Sequence, residues 1–61
     1  MATTYHNPNA PLTRNGLRYI FTFNDMPAAN LHCQQLEAEG TQYICVKYQE
    51  GWGYHAHLYM E

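Results

Sequence analysis

Charged residues are scarce in this chain, and basic residues are scarcer than acidic ones. Asp, Glu, Lys and Arg make up 13% of the 61 residues, whereas about a quarter is usual in globular proteins. The basic side chains are Arg14, Arg18 and Lys47, and the formal net charge is −2. A chain with so few cations lacks the basic patch that holds a phosphate backbone, so we do not expect a nucleic acid partner.

A long apolar run is also missing. No stretch approaches the roughly 20 apolar residues that cross a membrane. Residues 1–16, MATTYHNPNAPLTRNG, show neither the basic segment nor the apolar segment of a secretory leader. We therefore expect a cytoplasmic protein without a membrane anchor. Two cysteines, Cys33 and Cys45, are too few for a disulfide scaffold.

Sequence motifs for catalysis are absent as well. The chain has no glycine-rich anion loop, no paired carboxylates and no Cys-x-x-Cys, so we expect neither an enzyme nor a cofactor. His55 and His57 are two residues apart in a predicted strand, which directs both imidazoles to one face, beside Cys45. These side chains could hold Zn²⁺, but the pattern lacks a fourth ligand, and we expect no metal site.

The chain is long enough for one domain only. Residues 1–15 contain Pro8, Pro11 and three asparagines, a composition that predicts an extended N-terminal arm. Residues 3–6 could extend the edge of a sheet, or the arm could be a mobile tail. The folded domain is predicted to span residues 16–61.

Apolar patterning predicts the order β-α-β-β for this domain. The predicted elements are a strand over residues 16–24, a helix over Met26–Glu39, and strands over residues 41–50 and 54–61. Pro27 suits a first helical turn, and Gly40 suits a C-terminal stop. The sequence EGWGY between the last two strands indicates a hairpin loop.

The strand order follows from how these elements are connected. A helix between two strands implies a right-handed crossover, and the short hairpin makes the last two strands antiparallel. Either the first strand pairs with the second, or the third strand inserts between them. We favour the second order, which is half of a ferredoxin-like split βαβ. The predicted fold is therefore α+β, a three-stranded sheet with one helix on one face and the other face open.

Alternation also predicts which residues face the helix. The apolar rows expected beneath it are Leu17/Tyr19/Phe21/Phe23, Ile44/Val46/Tyr48 and Ala56/Leu58/Met60. The residues expected on the open face are Arg18, Ile20, Thr22, Tyr43, Cys45, Lys47, His55, His57 and Tyr59. A three-residue hairpin loop would set Cys45 opposite Tyr59, and a five-residue loop would set it opposite His57. The sheet should separate Cys33 from Cys45, so no disulfide is expected.

Protein binding is the function that this open face suggests. Tyr43, His57 and Tyr59 are the predicted central anchors, because tyrosine supplies a large contact area at low entropic cost. The other predicted partner-binding residues are Trp52, Lys47, Arg18 and His55. Trp52 is either an exposed anchor or a lid folded back on its own sheet. The alternatives are a metal-binding domain that uses the His and Cys side chains, and a domain that stacks single-stranded nucleic acid on its tyrosines.

In size and overall composition the chain resembles the small inhibitors that phages and mobile elements make against host machinery, including anti-CRISPR proteins. The likeness lies in a compact, solitary, mildly acidic domain and in no particular motif. It implies an inhibitor or adaptor that binds a larger host protein complex. The first strand would be an unpaired aromatic edge, so a homodimer joined through residues 16–24 is also predicted.

Overall fold

The structure, a computed structural model, describes residues 3–61. In chain order the elements are β1 (Thr4–Tyr5), β2 (Thr13–Arg14), β3 (Leu17–Phe23), α1 (Met26–Glu39), β4 (Tyr43–Glu50) and β5 (Gly53–Met60). The α+β class is confirmed, and α1 has the predicted bounds. The three predicted strands correspond to β3, β4 and β5, and the arm contributes two short strands. No helix in residues 3–61 has the length and apolar character needed to cross a bilayer.

The sheet has the order β1-β3-β5-β4, with β2 also paired to β3, and all of these pairs are antiparallel. β5 therefore lies between β3 and β4, which is the favoured split order. The predicted count of three strands is wrong because β1 and β2 pair with the outer edge of β3. The edge predicted to join a homodimer is thus paired within the chain.

α1 is bounded by the backbone conformations that its flanking residues adopt. Asp25 before it is extended, and Gly40 after it has a left-handed φ of 77°. The amides of Gly40 and Thr41 donate to the carbonyls of Glu37 and Leu36 at 3.1 and 3.0 Å, which satisfies part of the last turn. The buried side of the helix consists of Ala29, Cys33 and Leu36.

We call the side of the sheet that packs against α1 the helix face. The core on this side contains Phe23, Ala29, Cys33, Leu36, Ala56 and Leu58. Partly buried side chains that pack against it are Phe21, Met26, Ala28, Tyr43, Cys45 and Met60. The β5 row of Ala56, Leu58 and Met60 therefore faces α1 as predicted.

β4 faces the opposite way from the prediction. The β4–β5 loop has two residues, Gly51 and Trp52, so Glu50 pairs with Gly53 and Cys45 pairs with Leu58. Gly51 has a φ of 61° at the first central position, as in a type II′ turn. This loop differs by one residue from the three-residue alternative, and a one-residue shift moves every side chain to the other face. Tyr43 and Cys45 consequently lie on the helix face, and Ile44, Val46 and Tyr48 lie on the opposite face.

The alternation of side chains in β3 shifts by one residue partway along the strand. Tyr19 pairs with Tyr59 and Phe21 pairs with Leu58, so three residues of β3 oppose two of β5 and Ile20 forms a bulge. Phe21 and Phe23 lie on the helix face, as predicted. Leu17 and Tyr19 lie on the other face with Thr22, because the extra residue breaks the alternation.

The face predicted to be open is covered by the arm, and we call it the arm face. β1 pairs with β3 at Thr22 and Phe23, and β2 pairs with β3 at Leu17 and Arg18. The β2–β3 turn consists of Asn15 and Gly16, whose φ angles of 52° and 82° fit a type I′ turn. Between β1 and β2 the chain lies over the sheet, so side chains on both layers are buried, among them Ala10, Leu17, Thr22 and Tyr59.

Candidate functional site

Hydrogen bonds from the arm reach three strands of the sheet. The Tyr5 hydroxyl lies 3.0 Å from His55 Nδ1, and Asn7 Nδ2 donates to the Tyr48 hydroxyl at 3.1 Å. The Tyr59 hydroxyl donates to the carbonyl of Pro11 at 2.8 Å. These bonds connect the arm to β4 and β5, in addition to its backbone pairing with β3.

A chain of polar groups runs from the arm backbone into the sheet. The Asn7 N–H donates to the Tyr19 hydroxyl at 2.9 Å, that hydroxyl lies 2.6 Å from Thr22 Oγ1, and Thr22 Oγ1 lies 2.8 Å from His57 Nδ1. The Asn7 N–H can only donate, so the Tyr19 hydroxyl accepts from it. Either hydroxyl of the Tyr19–Thr22 pair can be the donor, and the role of His57 Nδ1 depends on the tautomer of the ring.

Tyrosine rings enclose both imidazoles. The Tyr48 ring lies against His57 and His55 at centroid distances of 4.6 and 5.6 Å. The Tyr5 ring meets His55 edge-on at 5.9 Å, and the Tyr19 ring meets His57 edge-on at the same distance. Burial lowers the pKa of His57 and raises the pKa of Tyr48, so both groups stay neutral near pH 7.

We call the seven side chains that form these contacts the arm network: Tyr5, Asn7, Tyr19, Thr22, Tyr48, His55 and His57. His55 Nδ1 thus contacts the arm directly at Tyr5, whereas His57 Nδ1 is linked to the arm through Thr22 and Tyr19. The predictions from sequence missed the other five members. The available signal was Asn15-Gly16, the dipeptide most typical of a two-residue hairpin, which places β2 and the rest of the arm beside β3.

The seven residues predicted to bind a partner do not form one surface. Tyr59 is only 1% exposed. Tyr43 lies on the helix face, and Lys47 lies on the same side because it pairs with Ala56. His55 and His57 are half-buried within the arm network, Arg18 is exposed on β3, and Trp52 is at the hairpin tip. Tyr43 and Tyr59, the pair predicted to stack on nucleic acid or to anchor a protein, therefore do not lie together on either face of the sheet.

The His and Cys side chains of the alternative metal site do not lie together. Val46, rather than Cys45, pairs with His57, and Cys45 lies on the opposite side of the sheet. Within residues 3–61 no group of three or more His, Cys, Asp or Glu side chains is close enough to hold a metal ion.

The two cysteines are together rather than apart, which corrects the prediction that the sheet separates them. Both line a groove of about 290 Å³ between α1 and β4, which we call the thiol groove; its lining is Asn30, Cys33, Gln34, Glu37, Tyr43, Cys45 and Lys47. Both are free thiols, Cys33 buried and Cys45 half-buried. Burial, and then a hydrogen bond with Cys45, raises the pKa of Cys33 to about 11.

A second groove, of about 260 Å³, lies on the other side of α1, towards β1 and β3; its lining includes Phe21, Phe23, Ala28, Leu31 and His32. The exposed large apolar side chains are Leu12, Ile20, Leu31, Trp52 and Tyr54. Trp52 stands out among them because its relative exposure is 105%, so its indole is entirely in solvent. The alternative in which Trp52 folds back on the sheet is therefore not what the structure has.

Comparisons with known proteins give no family for this chain. No family model matches the sequence, and no curated protein and no solved structure shows significant similarity to it.

Proposed function

We propose that this protein is a non-enzymatic protein-binding module whose main anchor is Trp52. The observation that carries the proposal is the complete exposure of this indole at the tip of the β4–β5 hairpin. Tryptophan is among the residues most enriched at the energetic centres of protein interfaces, whereas a lone indole in water contributes nothing to folding. This exposure is the reason to assign Trp52 to binding rather than to the core.

The hairpin beneath Trp52 would make it an effective anchor. β4 and β5 pair without a break from Tyr43/Met60 to Glu50/Gly53, and the turn adds only two residues. A side chain on a short, well-paired hairpin loses little backbone freedom on binding. Burial of 150–250 Å² at about 25 cal/mol per Å² would supply roughly 4–6 kcal/mol before the costs of association.

The arm supports the choice of the hairpin tip, because it covers the sheet face that was predicted to bind a partner. The arm face is occupied by the chain's own residues, and Tyr59 at its centre is buried. The surface proposed to meet a partner is the hairpin tip, where Tyr54 is also exposed. We propose a larger host protein in the cytoplasm as the partner, and inhibition or adaptor function as the consequence, in keeping with the resemblance to small phage inhibitors.

The proposal implies a monomer that binds a different protein. The homodimer predicted through β3 has less support, since the amides of Tyr19 and Asn24 donate to Leu12 and Thr3 of the arm at 2.9 and 3.0 Å. Light scattering at high micromolar concentration should give the mass of one chain. A dimer that dissociates on Trp52→Ala would instead make the second copy the partner.

The test is affinity capture from lysate of the producing cells with the tagged protein, followed by mass spectrometry. Trp52→Ala should lose the dominant captured protein, at a cost of about 2 kcal/mol or more in binding. Leu12→Ala is the matched control, because Leu12 is also a large exposed apolar residue but belongs to the arm. Loss of capture with Leu12→Ala and retention with Trp52→Ala would assign binding to the arm and overturn the proposal.

Fluorescence provides a second readout on the purified partner. Trp52 is the only tryptophan in the chain, so emission at its wavelength reports on the hairpin tip alone when the partner's own emission is subtracted. We expect a shift to shorter wavelength and protection from acrylamide quenching upon binding. An unchanged spectrum in a saturated complex would exclude Trp52 from the interface.

A further inference from the structure

We propose that Cys33 and Cys45 form a redox modification site, in which a small disulfide compound converts the two thiols into an intramolecular disulfide across the thiol groove. The site is independent of Trp52 and of the protein-binding proposal. It joins two elements that follow one another in the chain, because Cys33 belongs to α1 and Cys45 to β4.

The first support is the position of the two residues. Cys45 pairs with Leu58 in the sheet and packs against the core cluster that contains Cys33. Both side chains also line the thiol groove. The two side chains therefore meet in the space between α1 and β4.

The second support is the difference in accessibility between the thiols. Cys33 is buried in the core, whereas Cys45 is half-buried and shares the groove with Lys47. A reagent that enters the groove therefore reaches Cys45 first, and Cys33 is placed behind it as the resolving thiol. Because burial raises the pKa of Cys33 to about 11, little of this thiol is ionised near neutral pH, and the second step should accelerate as the pH rises.

The chemistry is thiol–disulfide exchange with a low-molecular-weight disulfide such as glutathione disulfide. The Cys45 thiolate attacks one sulfur of the reagent, a mixed disulfide forms, and one glutathione thiolate leaves. Cys33 then loses its proton to solvent and attacks Cys45 Sγ, which expels the second glutathione. Two protein thiols are oxidised, and one glutathione disulfide is reduced to two glutathione molecules, so two electrons are transferred in total.

A disulfide here would fasten the helix to the edge strand. β4 is bonded on one side to β5, and among the described residues no strand pairs with its other side. The thiol groove is the gap between that strand and α1. Closing the loop of about 13 residues from Cys33 to Cys45 should raise the melting temperature of so small a domain by roughly 12–24 °C.

The experiment incubates the purified full chain with glutathione disulfide at pH 8, alkylates the remaining thiols, and measures the intact mass. The expected product is the monomer without two hydrogen atoms and without alkylation. Its melting temperature should exceed that of the reduced protein, and dithiothreitol should reverse both changes.

Two single variants separate the roles of the thiols. Cys33→Ser should stop at a stable mixed disulfide on Cys45, and Cys45→Ser should react several-fold more slowly because only the buried thiol is left. Persistence of the mixed disulfide in the wild-type chain, a disulfide between two chains, or no reaction of either thiol would each overturn the proposal.

Discussion

Replacing Thr22 by valine removes one buried hydroxyl from the centre of the arm network while nearly keeping the shape of the side chain. Thr22 is fully buried, and its Oγ1 lies 2.6 Å from the Tyr19 hydroxyl and 2.8 Å from His57 Nδ1. The substitution deletes both hydrogen bonds and leaves both partner groups facing a methyl group. At about 1 kcal/mol net for each bond, the free energy of unfolding should fall by about 2 kcal/mol.

Urea unfolding followed by circular dichroism measures this loss. With an m-value of about 1 kcal/mol per molar urea for so small a domain, the midpoint should drop by roughly 2 M. Thr13→Val is the matched control, because Thr13 is an exposed strand residue and its replacement should change stability by less than about 0.5 kcal/mol. Equal midpoints for the two variants would refute the role of the Thr22 hydroxyl.

A double-mutant cycle with Tyr19→Phe sharpens the interpretation of the Thr22 result. The two residues share one hydrogen bond, so the double variant should lose less stability than the sum of the single variants. Additive losses of stability would mean that the two hydroxyls act separately and that the polar groups from Asn7 to His57 are not energetically coupled.

Two further predictions concern pH and the β2–β3 turn. Burial, with a smaller effect of His55 in the same direction, lowers the pKa of His57 in the folded protein from its ordinary value near 6.5, while Glu50 opposes the shift. The stabilisation by neutral His57 is therefore complete above about pH 6.5 and is lost as the pH falls towards the lowered pKa. Urea midpoints should decrease below pH 6.5, and His57→Gln should flatten that decrease. Gly16→Ala should lower the free energy of unfolding, measured by thermal unfolding, by roughly 1 kcal/mol or more, because Gly16 has a φ of 82°. Gly53→Ala should change it little, because Gly53 has no left-handed φ. An added Cβ meets nothing at either position, so the backbone conformation alone distinguishes the two variants. Equal effects of the two alanines would refute the turn argument.

Local patterns were sufficient to locate the main elements. The helix begins beside Pro27 and ends at Gly40 because these residues act on the backbone within one turn of themselves. Alternation located β3, β4 and β5, and connection rules predicted that β5 lies between the other two. None of these inferences needed knowledge of a contact far away in the chain.

The facing of the strands depended on single residues that break the periodicity. A two-residue loop at Gly51 and Trp52, and a bulge at Ile20, each shifted the register by one position. Because side chains alternate with a period of two, such a shift moves Cys45 to the helix face and Tyr19 to the arm face. The residues predicted to share one open face are therefore divided between the helix face and the arm face.

The arm was beyond the reach of periodicity altogether. Its composition predicted an extended arm, with residues 3–6 as one possible edge strand, and β1 (Thr4–Tyr5) pairs with β3 there. Its docked position depends on bonds such as those from Asn7 to Tyr48 and from Tyr5 to His55, which join residues 41 and 50 positions apart. The sequence alone therefore determined which segments form strands and helix, since those preferences act between neighbours along the chain. Only the tertiary structure decided that the histidines hold the arm and that the cysteines meet, because both outcomes depend on register and on contacts between distant residues.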